Sequence, residues 1–395
     1  MSGAGRDNLR FIQGVRGLAA LAVVLYHARV YVDGPAYLHA GRRMFEGGAA
    51  GVDLFFVVSG FIMVYTTSTL RGSLRDTGRF LVRRIVRVWP VYAVAYVAVC
   101  LLAFPSGHPD FQPSLRDAAH ALTFMPRDAG GTAPYFGAPI LDVGWTLNYE
   151  ILFYGVFAAT LLAPRRARPC VLLALIAACT VALPWMLAGG VQMDGMTGYG
   201  VAGYASLLTS PLLWEFGAGA AIGHLYLSRW SLKDRDVATC LAALTGALFL
   251  WMLLSGYRRG HGPIHWGLPA ALFVLTLALR DKITPWRVPP ALVWLGDVSF
   301  SLYLLHRLPQ VVGRLYPHEA LTTGGGFFAF TLVTGVVLAY AGNRWLERGL
   351  SEWLRRKLLR PVVSAPLAEH LGPTFGAAGR GSLAEADVQQ GVAHR

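Results

Sequence analysis

Long apolar runs recur along this 395-residue chain and constrain its fold more than any other feature. Most have about 17–25 residues, the length that an α-helix needs to cross the core of a bilayer. The run at 90–104 is shorter and is bounded by Pro90 and Pro105. Only 14% of the residues are charged, whereas soluble domains contain roughly 25%. We interpret ten runs as transmembrane helices, at about 11–30, 50–68, 90–104, 144–163, 170–188, 207–227, 237–256, 264–280, 291–312 and 326–346. The sequence therefore predicts an all-α, polytopic integral membrane helix bundle.

The basic residues between the runs predict the orientation of this bundle. If the N-terminus is cytoplasmic, the cytoplasmic segments hold 22 Lys and Arg residues and the opposite segments hold 8. Because positive charge accumulates in cytoplasmic loops, we expect both termini to be cytoplasmic. The first run is too long for a signal peptide, so we expect it to remain as the first helix. The net charge of +13 then reflects topology, and we expect no nucleic-acid partner.

The sequence also predicts two regions of different character. Residues 1–350 form the predicted transmembrane domain. Residues 351–395 begin with a basic amphipathic stretch and continue into a segment rich in Gly, Ala, Ser and Pro, which we expect to be a disordered cytoplasmic tail. The four cysteines lack paired or metal-type spacing, so we expect free thiols and no metal site.

The first apolar run carries a cation and a titratable side chain on one face. Arg16 and His27 are eleven positions apart, which corresponds to about three helical turns and roughly 16 Å along the axis. A charged side chain inside a bilayer is costly and normally faces the interior of a bundle. The alternative is an Arg that reaches the headgroups and a His that makes a structural contact.

Polar residues inside later helices add to this stripe. Asp53 and Glu150 are intramembrane carboxylates, which are functional candidates by default. Their structural alternatives are a helix N-terminal carboxylate for Asp53 and a satisfied buried group for Glu150. Arg84 and Arg87 share a helix face, and Arg suits bidentate contacts with phosphate, although positive-inside charge alone would also favour basic residues there.

The polar residues separate into two groups on the predicted topology. The outer group contains His27, Asp53, Glu150 and His306, and His306 shares a helix face with Ser299 and Tyr303. The inner group contains Arg16, Arg84 and Arg87. This layout indicates a path from a cytoplasmic anion to an outward-facing base. Six further histidines fall in or beside outer loops, and we assign them no chemistry: His39, His108, His120, His261, His265 and His318.

Six motifs occur in a consistent order along this plan. They are Arg16-x10-His27, GVDLFFVVSGFIM (51–63), RRIVRVWPVY (83–92), GWTLNYEILFY (144–154), PLLWEFGAGAAIG (211–223) and GDVSFSLYLLH (296–306). Together they resemble the acyltransferase-3 family of bacterial integral membrane O-acyltransferases. The segment WTLNYE is most similar to the corresponding sequence of the exopolysaccharide acetyltransferase branch. The resemblance covers about residues 8–350.

The resemblance implies an O-acetyltransferase in the bacterial inner (cytoplasmic) membrane. Its donor would be cytoplasmic acetyl-CoA, and its acceptor a hydroxyl of a surface polysaccharide or of a lipid-linked precursor. We expect His27 to be the general base, because His is the common choice near neutral pH. Glu150 or Asp53 is the expected partner of His27. Direct attack of the hydroxyl is the simplest mechanism, and an acyl-His27 intermediate is the alternative.

We also expect roles for residues around this base. Arg84 and Arg87 are expected to hold the CoA phosphates at the inner mouth, and Arg16 is expected to lie deeper, along the route of the pantetheine arm toward His27. The saccharide acceptor is expected to contact Trp145, Ser299, Tyr303 and His306. Three other readings remain open: a transporter or flippase of the same glycan, an acyltransferase of a small glycosylated metabolite, and a non-catalytic subunit of a polysaccharide assembly complex.

Overall fold

The computed structural model describes residues 9–107, 114–128, 131–201, 203–318 and 324–359, and this part of the chain contains helices and no strand. The α-helices are α1 (Arg10–Ala28), α2 (Ala40–Phe45), α3 (Gly51–Thr67), α4 (Leu74–Ala103), α5 (Leu115–Leu122), α6 (Trp145–Leu161), α7 (Arg168–Ala177), α8 (Leu183–Ala188), α9 (Ala205–Leu208), α10 (Leu213–Leu227), α11 (Arg235–Ser255), α12 (Leu268–Ile283), α13 (Pro290–Asp297), α14 (Ser299–Leu305), α15 (Arg307–Leu315), α16 (Gly324–Gly342) and α17 (Glu352–Leu358). Wider π-helical turns occupy Ala178–Ala182, Pro263–Gly267 and Asn343–Ser351. The tail predicted beyond residue 359 lies outside the described residues.

Seven helical segments among these residues are long and apolar enough to cross a membrane: Arg10–Val32, Ala40–Thr67, Leu74–Ser106, Arg168–Ala188, Arg235–Ser255, Pro263–Ile283 and Gly324–Leu358. The other three predicted spans are helical but shorter or interrupted. The span at 144–163 contains α6, the span at 207–227 overlaps α9 and contains α10, and the span at 291–312 contains α14 and overlaps α13 and α15. The all-α, multi-pass class is therefore confirmed, whereas the number ten stays a prediction.

The longest helix, α4, begins 16 residues earlier than the predicted span at 90–104. Its first turn is capped by Ser73, whose hydroxyl accepts a hydrogen bond from the Asp76 N–H at 3.0 Å. Pro90 lies inside the helix instead of bounding it. The predicted start at residue 90 is wrong because helices of membrane proteins tolerate Pro where neighbouring groups satisfy the freed backbone.

Helices α3 and α10 cross closely at glycines. A Cβ added to Gly60 would overlap the carbonyl oxygen of Phe216, and one added to Gly219 would overlap that of Val57. Small residues at such positions let two backbones approach, which is how helices gain packing energy in lipid. This contact fixes the position of the α3 side chains that face the centre of the bundle.

Helix α1 lies at the centre of the polar interior, where it packs against α3, α13 and α14. Its apolar side buries Phe11, Val15, Ala19 and Val23. We call the end of the bundle at which α1 begins the lower end, and the end at which α1 finishes the upper end.

Helices α13, α14 and α15 form a broken path where a single span was predicted. The first break is at Val298, between α13 and α14, and the second is at His306, between α14 and α15. The first break is held by the segment after α16: Asn343 donates to the Asp297 carbonyl at 2.9 Å, and Glu347 accepts from the Ser301 N–H at 3.2 Å. A carboxylate at a helix N-terminus is stabilising, so Glu347 supports a separate start for α14.

Candidate active site

Two cavities lie one above the other beside α1. The lower cavity has an empty volume of about 710 Å³, including space open to solvent, and is lined by Arg16, Arg84, Arg87, Glu150 and Tyr154, among others. The upper cavity has an empty volume of about 2000 Å³, including its open mouth, and its lining includes His27, Asp142, Trp145, His261 and Arg307. Val52 and Tyr303 line both cavities, so the two spaces adjoin at these side chains.

His27 lies in the upper cavity with a defined hydrogen-bonding pattern. Its Nδ1 is 2.9 Å from the Val23 carbonyl oxygen and 3.3 Å from Nε2 of His306. Nδ1 of His306 lies 3.0 Å from the Leu302 carbonyl oxygen and donates to it, so Nε2 of the neutral ring is an acceptor. Both neighbours of His27 Nδ1 are thus acceptors, which assigns the proton to Nδ1 and leaves Nε2 with a free lone pair.

An ion pair forms the wall of the upper cavity beside His27. Arg307 contacts Asp142 through two nitrogens, at 2.8 Å and 2.6 Å. Burial by itself would raise the pKa of Asp142, but the charge of Arg307 and its hydrogen bonds outweigh this effect and lower the pKa to about 2. Asp142 therefore stays ionised and acts electrostatically on His27.

The boundary between the cavities is polar. The Tyr303 hydroxyl lies 2.8 Å from the Thr146 hydroxyl, and both hydroxyls reach the Val143 carbonyl at 3.0 Å. Phe55 packs edge-on against the Tyr303 ring, with centroids 5.7 Å apart. The Tyr303 side chain is thus held rigidly at the point where the two spaces adjoin.

The lower cavity carries excess positive charge. Arg16 donates to the Gln13 side chain at 2.9 Å and Arg84 donates to the Thr66 hydroxyl at 2.8 Å. Within the described residues, neither of these arginines nor Arg87 has a carboxylate within 4.0 Å of its guanidinium nitrogens. Three cations that lack such a partner in a half-buried site suit an anionic ligand.

A basic mouth opens at the lower end and leads toward this cavity. It is lined by six arginines and three carboxylates: Arg10, Arg83, Arg87, Arg348, Arg355, Arg356, Asp297, Glu347 and Glu352. The arginines of the C-terminal segment pair with these carboxylates, as in the 2.7 Å contact between Arg355 and Glu352. Arg87 lines both the mouth and the lower cavity, so it marks the passage between them.

Comparison with known proteins identifies the family of this chain. The family model described as an acyltransferase domain (acyltransferase-3) matches residues 9–341. The chain belongs to the acyltransferase-3 family. It is therefore an acyltransferase, and its apolar helices make it a multi-pass membrane protein.

Three bacterial proteins are similar to this chain over different shares of its length. The exopolysaccharide production protein ExoZ of Rhizobium meliloti is 30% identical over 333 residues, covering 82% of this chain and 96% of ExoZ. The putative membrane-bound transacylase BcsY of Komagataeibacter xylinus is 29% identical, covering 76% and 72%. The peptidoglycan O-acetyltransferase OatA of Listeria monocytogenes is 30% identical over 38% of this chain and 24% of OatA. No solved structure gives a significant match.

The two carboxylates expected beside His27 have other partners in this acyltransferase. Asp53 is fully buried and accepts from His261 Nδ1 at 2.8 Å and from the Gly262 N–H at 3.2 Å. Glu150 accepts a hydrogen bond from the Tyr154 hydroxyl in the lower cavity. The side-chain partner of His27 is instead His306, because it reaches Nδ1 from the break between α14 and α15.

The residues expected to contact the acceptor separate in the fold. Trp145 and Tyr303 line the upper cavity. His306 is fully buried behind His27, so it acts on the cavity only through that ring. Ser299 is also fully buried and lines neither cavity.

Three members of the site were not predicted from the sequence: Asp142, Arg307 and His261. Asp142 stands two residues before the GWTLNYE motif and Arg307 directly follows the GDVSFSLYLLH motif, so both flank recognised segments. His261 has no such signal, because it lies in a connection between α11 and α12 that only the fold brings to the cavity.

Proposed function

We propose that this protein transfers an acetyl group from acetyl-CoA to a hydroxyl of a surface polysaccharide or of its lipid-linked precursor, with His27 as the general base. The observation that carries the proposal is the stacking of the two cavities. A cationic cavity adjoins a cavity that holds an imidazole with a free Nε2, and Tyr303 lines both.

The acceptor step follows from the hydrogen bonding of His27. A sugar hydroxyl is a weak nucleophile, and a positioned base accelerates such reactions by about 10²–10⁴. In this proposal the hydroxyl proton passes to His27 Nε2 while the hydroxyl oxygen attacks the thioester carbon. Collapse of the tetrahedral species breaks the carbon–sulfur bond, and His27 returns the proton to the thiolate. His306 holds the ring, and ionised Asp142 favours the transient imidazolium.

The donor side follows from the charge of the lower end. CoA is multiply anionic, so its phosphates require cations, and Arg84 and Arg87 are the proposed phosphate ligands. Arg16 lies farther along the route toward Tyr303. Glu150 is proposed to orient the polar groups of the lower cavity. The lower end then faces the cytoplasm of a bacterial inner membrane, where acetyl-CoA is present, and the upper cavity faces the acceptor.

The proposal is tested by acetyl transfer with purified protein. Wild-type protein in vesicles should transfer radiolabelled acetyl from acetyl-CoA to polysaccharide or to lipid-linked saccharide. His27→Ala should lower the rate by about 10²–10⁴ while the protein still inserts. His265→Ala is the control, because it removes a histidine that is held by a side-chain contact, to Asp194 at 3.0 Å, but does not line the upper cavity. Equal rates for His27→Ala and wild type would reject His27 as the base.

The same assay distinguishes the proposed function from the alternative hypotheses. Movement of glycan across the vesicle membrane without acetyl transfer would favour a transporter or flippase. Transfer only to small glycosylated metabolites would support the acetyltransferase activity and would replace polysaccharide as the acceptor. Trapping of labelled acetyl on His27 in the absence of acceptor would favour the acyl-His27 intermediate over direct attack.

A further inference from the structure

A second histidine of the upper cavity is held as firmly as His27. His261 lies between two glycines whose φ angles are +142° and +120°, a conformation that side chains with a Cβ rarely adopt. Its ring contacts Trp266 at a centroid distance of 5.4 Å and Trp145 at 5.3 Å. Backbone and neighbours thus fix this imidazole in one orientation.

The partner of His261 determines what the ring can offer. Asp53 accepts the hydrogen bond from Nδ1 at 2.8 Å, so the proton of the neutral ring is on Nδ1. Nε2 makes no hydrogen bond with any residue that the structure describes. It is not one of the fully buried polar atoms that lack a partner, so it keeps contact with open space. Because His261 lines the upper cavity, Nε2 is available to a ligand there.

The upper cavity therefore holds two acceptor nitrogens, one on His27 and one on His261. A ligand with a single hydroxyl can satisfy only one of them, whereas a sugar carries several hydroxyls and can offer one to each. The wall beside His261 is aromatic, since Tyr135 and Trp145 both line the cavity with ring centroids 5.0 Å apart. Aromatic surfaces accommodate the apolar C–H face of a pyranose, so this wall suits the same ligand.

We infer that His261, oriented by Asp53, binds a second hydroxyl of the acceptor and thereby selects a hexopyranose unit in the upper cavity. This inference rests on the proposed function. It assigns Asp53 as a positioning residue that acts through His261, and it leaves proton transfer to His27.

The experiment compares acceptors with one and with several hydroxyls. Acetyl transfer from acetyl-CoA is measured with methyl glucopyranoside, methyl galactopyranoside, methyl mannopyranoside and cyclohexanol. His261→Ala should raise KM for the best glycoside by about three- to tenfold, the effect of one lost hydrogen bond. Its kinetics with cyclohexanol and its KM for acetyl-CoA should stay within twofold of wild type. Asp53→Asn should shift the glycoside KM in the same direction, and His261→Gln, which keeps an acceptor oxygen, should restore part of it.

His265→Ala is the matched control, because it removes a second carboxylate-paired histidine, four residues away, that does not line the cavity. An equal loss with glycosides and cyclohexanol, or a fall in kcat with unchanged glycoside KM, would overturn the inference. Wild-type behaviour of His261→Ala would overturn it too, while leaving the proposed function intact. Absence of transfer by the wild-type protein to these probes and to polysaccharide would reject the proposed function itself.

A measurement on the wild-type protein covers the case in which the variants do not fold. Diethylpyrocarbonate modifies accessible neutral imidazole nitrogens, and peptide mass spectrometry locates the product. Saturating methyl hexopyranoside should protect His261 at least threefold, whereas cyclohexanol should protect it less. Equal modification of His261 with and without glycoside would overturn the inference.

Discussion

His27 differs from a histidine in water because its two ring nitrogens are not equivalent. Val23 and His306 both present acceptors to Nδ1, so Nε2 is the nitrogen that meets the upper cavity without a competing proton. In water the proton exchanges between the two nitrogens, and only part of the neutral population could act as a base at Nε2. The fold therefore sets the direction of proton transfer before any ligand binds.

His306 orients the His27 ring through its contact with Nδ1. His306→Ala should lower kcat by about two- to tenfold, because one hydrogen bond that orients His27 is lost while the Val23 contact remains. KM for acetyl-CoA should not change. His306→Gln should recover part of the rate, since its carbonyl oxygen can accept from Nδ1. Steady-state kinetics check this, and equal rates for the Ala and Gln variants would argue against an orienting role.

Arg87 lies on the proposed donor path, where the basic mouth joins the lower cavity. Arg87→Gln should weaken acetyl-CoA binding by about 10- to 100-fold, because a charge-assisted hydrogen bond to phosphate is lost. Arg75→Gln is the control, since Arg75 is exposed on the same helix and lines neither the mouth nor the lower cavity. Titration calorimetry at low and high salt measures both, and wild-type affinity should fall with ionic strength. Equal affinities for the two variants would exclude Arg87 from the donor site.

Residues on a regular helix face were the predictable part of the site. The eleven-residue spacing of Arg16 and His27 and the three-residue spacing of Arg84 and Arg87 put each pair on one face, and all four line the two cavities. The partner of a buried carboxylate was not predictable. Asp53 and His261 are 208 positions apart, and no local pattern encodes their contact.

At the scale of helices, the crossing of α3 and α10 depends on the absence of side chains at two positions. Gly219→Ala should destabilise the protein by about 1–3 kcal/mol, because its Cβ would overlap the Val57 carbonyl oxygen and separate the helices. Gly155→Ala is the control, since a Cβ there meets no atom within 4 Å and should leave stability unchanged or raise it slightly. Thermal unfolding in detergent checks both, and equal melting temperatures would reject the crossing.

Helix boundaries were predictable only where the local sequence determines them. A proline predicted the start of α4, yet the helix continues through Pro90 from the cap at Ser73. Hydropathy predicted one span at 291–312, yet the path breaks after α13. Asn343 and Glu347 each bind a group 46 positions away, so the signal for this break lies in another element.

On the scale of the whole molecule, the basic mouth, the lower cavity and the upper cavity follow one another from the lower end to the upper end. Arg10, the first residue of α1, and Arg355 in α17 line the same mouth, so the first and last described helices have ends on one side. That both chain termini lie on one side of the membrane stays a prediction. Which side faces the cytoplasm also stays a prediction, because it rests on the excess of Lys and Arg expected in cytoplasmic loops.

Sidedness can be measured with two exposed arginines at opposite ends. Arg43 lies in α2, which follows the upper end of α1, and Arg75 lies in the first turn of α4, below Arg87. In a background without Cys100, Cys170, Cys179 and Cys240, Arg43→Cys should react with a membrane-impermeant maleimide in intact cells. Arg75→Cys should react only after lysis. Acetyl-CoA is confined to the cytoplasm, so the basic mouth can serve as its entrance only with this orientation. The reverse labelling pattern would place Arg84 and Arg87 away from their proposed ligand, and the donor path would then fail even if His27 proved essential.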